Sequence, residues 1–461
     1  MLSTSRHLPA TLLASLLAVA AFAPATVMAH EHESDDIPDG EYTSPEPLDS
    51  ILWAHIVLMF VSFAIIFPVG MILGLTKNRF HVPVQVAGAV VTTVAWFLGH
   101  HHKGREFPSH NIHAVFANFL VFVMVAQFVV GVYLKLHLER GLNRILRKFG
   151  VIFHRISGIL IPILAYVQMG FGGITALGFC HGDHLGQCLA HGIMGSAFIA
   201  YGGVLLLMLI CGQALLARSG HSQEFYDSAV ITAWGIVNTF TEHRWGQAWS
   251  HGDYQHTSMG IVWWCAGLVG LFLSKRNGQP RRNYVPALVI ILTGWAMSVH
   301  AQHLELSTKI HAMFGMALMG AGFSRLVEVS FILHDAPSDC GNIRSFQYLP
   351  PFLLVASGFL FMFANEEQLI MINAAMIDHS SYTLVIYSVS FLVFFYFLVL
   401  IWLWQKTSGI ENFSGVKYER ANDDSSSGSY RRSGEVDEER QLAEAGEFEL
   451  SADSDYTRHR I

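Results

Sequence analysis

Four apolar stretches in the first third of the chain each carry a histidine near one end. They are LDSILWAHIVLMF (48–60) with His55, RFHVPVQVAG (79–88) with His81, SHNIHAVFANF (109–119) with His113 and FHRISGIL (153–160) with His154. If the stretches cross a membrane in alternating directions, His55 and His113 lie near one face and His81 and His154 near the other. A span of about 20 residues rises roughly 30 Å, so the two levels are well separated.

Two imidazoles from neighbouring spans at one level can supply both axial positions of a haem. The pattern therefore predicts two haem sites, one formed by His55 with His113 and the other by His81 with His154. The alternative is four unrelated histidines at span ends, where a polar side chain reaches the lipid headgroups at little cost.

The composition indicates a membrane protein. Of 461 residues, 52% are hydrophobic and only 14% charged, whereas soluble domains carry about 25% charged residues. We expect an all-α polytopic membrane bundle with lipid as its principal partner. The net charge of −7 gives no indication of nucleic-acid binding. The 25 histidines, against 28 lysines and arginines, point towards metal or redox chemistry.

The two ends of the chain differ from its apolar body. Residues 1–29 read as a signal peptide, with Arg6 before an apolar run and Ala29 at the cleavage position. Residues 30–50 are polar and proline-containing, which predicts a short lumenal linker. Residues 405–461 lack apolar periodicity and are acidic, so we expect a disordered cytosolic tail.

Eleven apolar segments are long enough to be interpreted as spans. They cover 51–75, 83–101, 112–134, 151–177, 192–216, 228–242, 256–274, 284–302, 310–333, 347–365 and 380–404. With a lumenal amino terminus, most lysines and arginines of the loops fall on the cytosolic side, as the positive-inside rule requires. The carboxyl terminus then lies in the cytosol. The membrane is predicted to be the plasma membrane or an endomembrane of the secretory pathway. Cys180 and Cys188 flank a lumenal loop in which a disulfide can form.

Residues 51–175 resemble the cytochrome b561 class of transmembrane b-type cytochromes, which includes ascorbate-dependent ferric reductases. The resemblance rests on His55, on the string HVPVQVAG from His81, on His113 with Gln127, and on the His-x-x-x-Gly of His154 and Gly158. It implies two b haems with the pairing given above, in a four-helix module at 51–177. It also implies a cytosolic electron donor such as ascorbate and a lumenal acceptor such as Fe(III) or Cu(II), which makes a transmembrane reductase an open possibility for the activity.

Further histidines crowd the lumenal ends of the second and third spans, and any of them is an alternative to His113. They are His100, His101, His102 and His110.

The whole chain also resembles a fungal family of polytopic proteins, the Ytp type, in which such a module precedes a second membrane module, here 178–404.

The second module carries its own histidines and carboxylates on the predicted lumenal side. The His-x-x-x-Gly spacing recurs at His191, His256 and His311. Imidazoles that converge on one face suit Zn, Cu or Fe. We therefore expect a transition-metal site whose candidate ligands are His243, His251, His256, His300, His303 and His311. The alternative is that these histidines anchor the spans among the headgroups.

Three functions of different classes follow from these patterns. The first is a two-haem electron carrier across the membrane. The second is a transporter or metal-handling protein that works through the second module. The third is a non-catalytic membrane scaffold. The sequence leaves the donor, the acceptor and the oligomeric state open.

Overall fold

The computed structural model describes residues 37–38, 41–138, 141, 143–243, 246–299, 302–334, 336, 338 and 342–409. The structural statements below concern these residues. The predicted signal peptide and nearly all of the predicted cytosolic tail lie outside them, as do His300 and Cys340.

Four long helices form the first part of the fold. They are α1 (Ser50–Leu75), α2 (His81–His100), α3 (Ile112–Lys135) and α4 (Asn143–Leu177). Helix α1 contains a π-helical segment, Val61–Ile66. Polar side chains begin two of these helices: Asp49 accepts from the Leu52 backbone N–H, and Asn111 accepts from that of Ala114, each at 2.8 Å.

The second part of the fold contains nine helices and a two-stranded hairpin. They are α5 (Leu185–Cys211), α6 (Gln213–Ser219), α7 (Gln223–Thr241), α8 (His251–Leu273), β1 (Lys275–Arg276), β2 (Gln279–Pro280), α9 (Val285–Ser298), α10 (Glu305–Val327), α11 (Leu349–Met362), α12 (Glu366–Ala374) and α13 (His379–Ser408). The strands are antiparallel. A second π segment, Glu328–Ile332, continues α10.

The prediction of an all-α polytopic bundle is confirmed. Nine helical segments of the described chain are long and apolar enough to cross a membrane, against the eleven predicted from sequence. The two remaining predicted spans also form helices. However, α9 has only 14 residues, and α7 is not among the nine. Helix α13 reaches Ser408, so the predicted tail begins too early, inside this helix.

The helices pack mainly as neighbouring pairs. Helix α1 packs on α2, α3 on α4, α7 on α8 and α9 on α10, while α11 lies between α5, α10 and α13. The largest buried cluster surrounds α11 and includes Leu206, Phe314 and Leu360. Helix α13 also contacts α1. The described residues form one compact unit, and the division into modules at residue 177 stays a prediction.

The segment before α1 has a defined place. Leu48 forms a β-bridge with Gly104, and the Asp49 carboxylate accepts from the Lys103 backbone N–H at 3.0 Å. This bond and the one from Leu52 lower the pKa of Asp49 below its usual range. Ser44 is buried and accepts from the Glu106 N–H at 2.8 Å. The part of the predicted linker from 41 to 49 therefore packs on the loop after α2.

Glycine lets α5 and α11 approach each other closely. A Cβ at Gly195 would lie 2.7 Å from the Gly358 carbonyl oxygen, and a Cβ at Gly358 would lie 2.6 Å from that of Gly195. Small residues that allow such backbone contact are typical of helix interfaces in membranes, where dispersion replaces the hydrophobic effect.

We predict that Gly195→Val separates α5 from α11 and destabilises the bundle by about 1–3 kcal/mol, the usual cost of overpacking. Thermal unfolding in detergent measures the effect. Gly192→Ala on the same helix is the matched control, because nothing lies within 4 Å of its added Cβ. Equal stability of the two variants would contradict the close contact.

Candidate functional site

The four histidines of the first module form two pairs. The rings of His55 and His113 have centroids 6.2 Å apart and cross at 85°. Those of His81 and His154 are 6.3 Å apart and cross at 88°. Two metal–imidazole bonds of about 2.0 Å, with each ring centre roughly 1.1 Å beyond its nitrogen, separate two centroids by about 6.2 Å. Each pair therefore has the spacing of two imidazoles that share one metal ion.

Each of these histidines lies against a glycine of a neighbouring helix. An added Cβ at Gly99 would lie 2.5 Å from the His55 ring, and one at Gly74 would lie 2.8 Å from the His81 ring. The corresponding distance is 3.2 Å both from Gly172 to His113 and from Gly131 to His154. The imidazoles occupy space that any other residue would fill.

Because the facing glycines have no Cβ, three of the rings reach a backbone carbonyl that lies one turn before the glycine. His55 Nδ1 donates to the Ala95 carbonyl, one turn before Gly99, at 2.7 Å. His81 Nδ1 donates to the Gly70 carbonyl, one turn before Gly74, also at 2.7 Å. A carbonyl oxygen only accepts, so Nδ1 carries the proton and Nε2 keeps its lone pair for a metal.

His113 repeats this contact with Gln168, one turn before Gly172. Its Nδ1 lies 3.3 Å from the Gln168 carbonyl oxygen and 2.9 Å from the side-chain nitrogen. For His154 the corresponding residue is Gln127, which donates to the His154 carbonyl at 3.0 Å and accepts from Ser157. The Nδ1 of His154 is buried without a hydrogen-bond partner among the described residues.

The histidine and the glycine of one helix are five turns apart. In α2, α3 and α4 they stand at positions i and i+18, as His81 with Gly99, His113 with Gly131 and His154 with Gly172. With about 3.6 residues per turn, this spacing completes five turns, so both residues lie on one face, about 27 Å apart.

Helix α1 departs from this spacing by one position, because His55 and Gly74 stand at i and i+19. The π segment Val61–Ile66 lies between them, and a π turn takes up one extra residue. Each helix therefore contributes a histidine at one level of the bundle and a glycine at the other.

A cavity of about 850 Å³ lies at the level of His81 and His154. Its apolar wall includes Phe67, Met124 and Phe128, and Gly74, Gly131 and Gly158 also line it. A volume of this size and this mixture of residues suit a bound cofactor. Four basic residues also line the cavity: Lys77, Lys135, His137 and Arg155.

The alternatives to His113 have other contacts. His100 and His101 bond through Nδ1 to carbonyls of their own helix, Trp96 at 2.9 Å and Phe97 at 2.8 Å, and the two hydrogen bonds lie at the exposed end of α2. His102 contacts Phe107, and His110 is exposed. In the described structure, His113 is the residue that faces His55.

The candidate metal ligands of the second module do not form one cluster among the described residues. His243 bonds to Asp253 at 3.0 Å and stacks on Trp249, while His256 bonds to Glu242 at 3.1 Å. His251 and His303 are exposed. His311 lies beside His191, which was not among the candidate ligands. Metal binding by the predicted set stays a prediction.

Cys180 and Cys188 are joined by a disulfide bond. The Cys180 backbone N–H donates to the Glu367 carboxylate at 2.8 Å, which ties the loop before α5 to α12. These three residues form the only group of three or more possible metal ligands found close together in the described chain. A cysteine that is bonded to another cysteine offers no thiolate to a metal.

A buried ion network connects α7, α10 and the segment between β2 and α9, which carries Arg282. Glu224 accepts from Arg282 and Arg325, each at 2.8 Å, and Arg325 also pairs with Glu328 at 2.6 Å. Asp227 accepts from Tyr201 at 2.5 Å. Arg325 and Glu328 stand at i and i+3 in the sequence, whereas Glu224 and Arg282 come from distant segments of the chain and meet only in the fold.

We predict that Arg325→Leu costs about 3–5 kcal/mol of stability, because it leaves the buried Glu328 without its guanidinium partner and removes one of the two that bond to Glu224. Thermal unfolding in detergent measures the loss. Lys309→Leu on the same helix is the control: its ion pair with Glu305, 2.7 Å long, is largely exposed and should matter little. A small effect of Arg325→Leu would mean that the network does not support the fold.

Two family models match the chain. The model described as "Protein YTP1-like, C-terminal" covers residues 164–405, more than half of the chain, and a domain of unknown function, DUF2427, covers 35–137. The first begins inside α4, so the predicted module boundary at 177 does not coincide with it. No solved structure matches the chain.

Curated relatives are fungal membrane proteins. Protein YTP1 of Saccharomyces cerevisiae is 50% identical over 269 residues, which are 58% of this chain and 58% of the relative's own length. The uncharacterized membrane protein C3B8.06 of Schizosaccharomyces pombe is 23% identical, over 69% of this chain and 87% of the relative. The uncharacterized membrane protein YCR061W of S. cerevisiae is 26% identical, over 48% of this chain and 42% of the relative. The chain belongs to the YTP1-like family of fungal membrane proteins.

Proposed function

We propose that the first module binds two b-type haems and carries electrons across the membrane. His55 and His113 would hold one haem, and His81 and His154 the other. The observation that supports the proposal is a repeated arrangement: in both pairs each histidine lies against a glycine of a neighbouring helix, and the two rings have nearly the same separation. Interfacial histidines without a shared role have no reason to pair at 6.2 and 6.3 Å in both levels.

The protein's own contribution is to orient the imidazoles and to exclude water. The carbonyls of Ala95 and Gly70 fix the tautomers of His55 and His81, which directs Nε2 towards the metal. The facing glycines leave room for the imidazole rings, and apolar side chains surround the cavity. A bound haem supplies a one-electron couple whose potential depends on this environment.

The electron donor and the direction of transfer are part of the proposal. The basic residues of the cavity at His81 and His154 are Lys77, Lys135, His137 and Arg155. They suit an anionic reductant such as ascorbate on the cytosolic side. The acceptor, Fe(III) or Cu(II), would then react on the lumenal side, near His55 and His113. This direction assumes the lumenal amino terminus and cytosolic tail that the positive-inside rule favours.

The transporter alternative has one observation in its favour, the buried ion network of Glu224, Arg282, Arg325 and Glu328. Charged residues within membrane helices are often functional. Here both guanidinium groups bond to carboxylates, and Gln347 donates to Glu328 at 3.1 Å. Such mutual pairing favours a structural role, so electron transfer is the better-supported function.

We expect two low-spin b-type haems per chain when the detergent-purified protein is made with sufficient haem. Difference spectra and iron content measure this, and carbon monoxide should change the spectrum little because both axial positions are filled. His55→Ala and His113→Ala should each remove the same haem, and the double variant should lose little more. His81→Ala and His154→Ala should remove the other haem.

His110→Ala is the control for these variants, since the exposed His110 belongs to neither pair. Protein without haem, or His55→Ala and His81→Ala that remove the same centre, would contradict the proposal.

The facing glycines give a second, independent pattern. Gly99→Ala should disturb the haem of His55, and Gly74→Ala that of His81, because each added methyl group enters the space of the ring. Potentiometric titration should show one midpoint shifted and the other unchanged. Gly173→Ala is the matched control, with nothing within 4 Å of its Cβ. Identical titrations for all three variants would be inconsistent with the assigned sites.

A further inference from the structure

A third histidine pair lies in the core of the second module. The Nε2 atoms of His191, on α5, and His311, on α10, are 3.5 Å apart. The ring planes cross at 90°, with centroids 5.6 Å apart. The two residues are only 6% and 2% exposed. They come from distant parts of the chain, so the fold and not local sequence brings them together.

The hydrogen bonds of both rings define their tautomers. His191 Nδ1 donates to the Gln187 carbonyl at 2.8 Å, and His311 Nδ1 donates to the Ser307 carbonyl at 2.9 Å. Because carbonyl oxygens only accept, both protons lie on Nδ1. In the neutral rings the two Nε2 atoms then carry no proton, and they face each other at 3.5 Å, a distance at which one cation can bind both.

The pair differs from the two proposed haem sites. Its centroid distance is 5.6 Å, against 6.2 and 6.3 Å. Phe361 stacks on the His191 ring at 4.6 Å, and α5 contacts α11 directly one turn later, at Gly195. Two opposed bonds of about 2.0 Å from an ion at the centre of a haem would require a separation of about 4.0 Å between the nitrogens, and the Nε2 atoms are 3.5 Å apart. The pair therefore suits a single ion better than a haem between the rings.

We propose that His191 and His311 bind a monovalent copper ion, Cu(I), through their Nε2 atoms. Imidazole suits copper, and two bonds of about 2.0 Å span a separation of 3.5 Å when the ion lies about 1 Å off the line between the nitrogens. Neutral ligands bring no compensating negative charge. A singly charged ion is therefore less costly to bury here than a divalent one.

This site is separate from the four histidines of the first module and does not depend on haem binding. It also differs from the convergent metal site expected from sequence, of which only His311 takes part. Within a secretory-route membrane protein, a buried copper ion of this kind would be held and not exchanged with water. It is a storage or structural site, or a redox centre, of the second module.

The test begins with the unmodified full chain, purified in detergent after growth with added copper. Metal analysis by mass spectrometry should find one copper per chain in addition to any iron. X-ray absorption at the copper edge should show Cu(I) with two nitrogen ligands. Titration of the stripped protein with Cu(I) against a chromophoric Cu(I) chelator should give one site per chain.

His191→Gln and His311→Gln should each lower copper content and Cu(I) affinity at least tenfold. Glutamine keeps a polar side chain in the core, and size-exclusion elution with thermal unfolding verifies the fold. His379→Gln is the matched control, since His379 begins α13 and bonds to Ser380 at 3.4 Å. It should keep the copper.

Three results would overturn the proposal. The first is wild-type protein that binds no Cu(I) in the titration, which would leave the pair bridged by a proton. The second is zinc in place of copper in the purified chain. The third is copper retained in both glutamine variants. The titration and the absorption spectrum use the unmodified protein, so they can refute the proposal even if the variants fold poorly.

Discussion

An imidazole reaches the backbone of a neighbouring helix only where that helix lacks a Cβ. In the first module this constraint operates four times, at Gly74, Gly99, Gly131 and Gly172. It sets how closely the helices approach and, for His55, His81 and His113, which backbone carbonyl lies against Nδ1. The arrangement then recurs at the opposite level, because residues five full turns apart lie on the same face of a helix. The cavity and the histidine pairs follow from that repetition.

Much of this architecture could be predicted from the sequence, because a bilayer requires long apolar helices whose hydrogen bonds are satisfied internally. The alternation of span direction also predicted which histidines pair. The facing glycines were missed, although the i, i+18 spacing from His81, His113 and His154 is visible in the sequence. The shorter His-x-x-x-Gly spacing is the more conspicuous pattern in the sequence, and the extra position in α1 breaks the longer one.

The remaining features of the site depend on tertiary contacts that no local sequence pattern predicts. His191 and His311 resemble other histidines at helix starts, and only packing around α11 brings them together. Glu224 and Arg282 likewise meet through the tertiary fold. The predicted lumenal cluster separated into pairs such as His243 with Asp253 and His256 with Glu242, because each carboxylate lies close enough to bond its own histidine.

The π segment of α1 has a consequence for how the chain tolerates changes in length. One residue inserted into a regular helix turns everything beyond it by about 100° and shifts it by about 1.5 Å. In α1 the turn Val61–Ile66 absorbs that change, and His55 and Gly74 still face α2 at opposite levels. Loss of a single residue within this turn would return α1 to a regular helix with the five-turn period of the other three. The same loss in α2, α3 or α4 would turn a histidine away from its partner. Related chains should therefore vary in length here more readily than anywhere else between the two histidine levels.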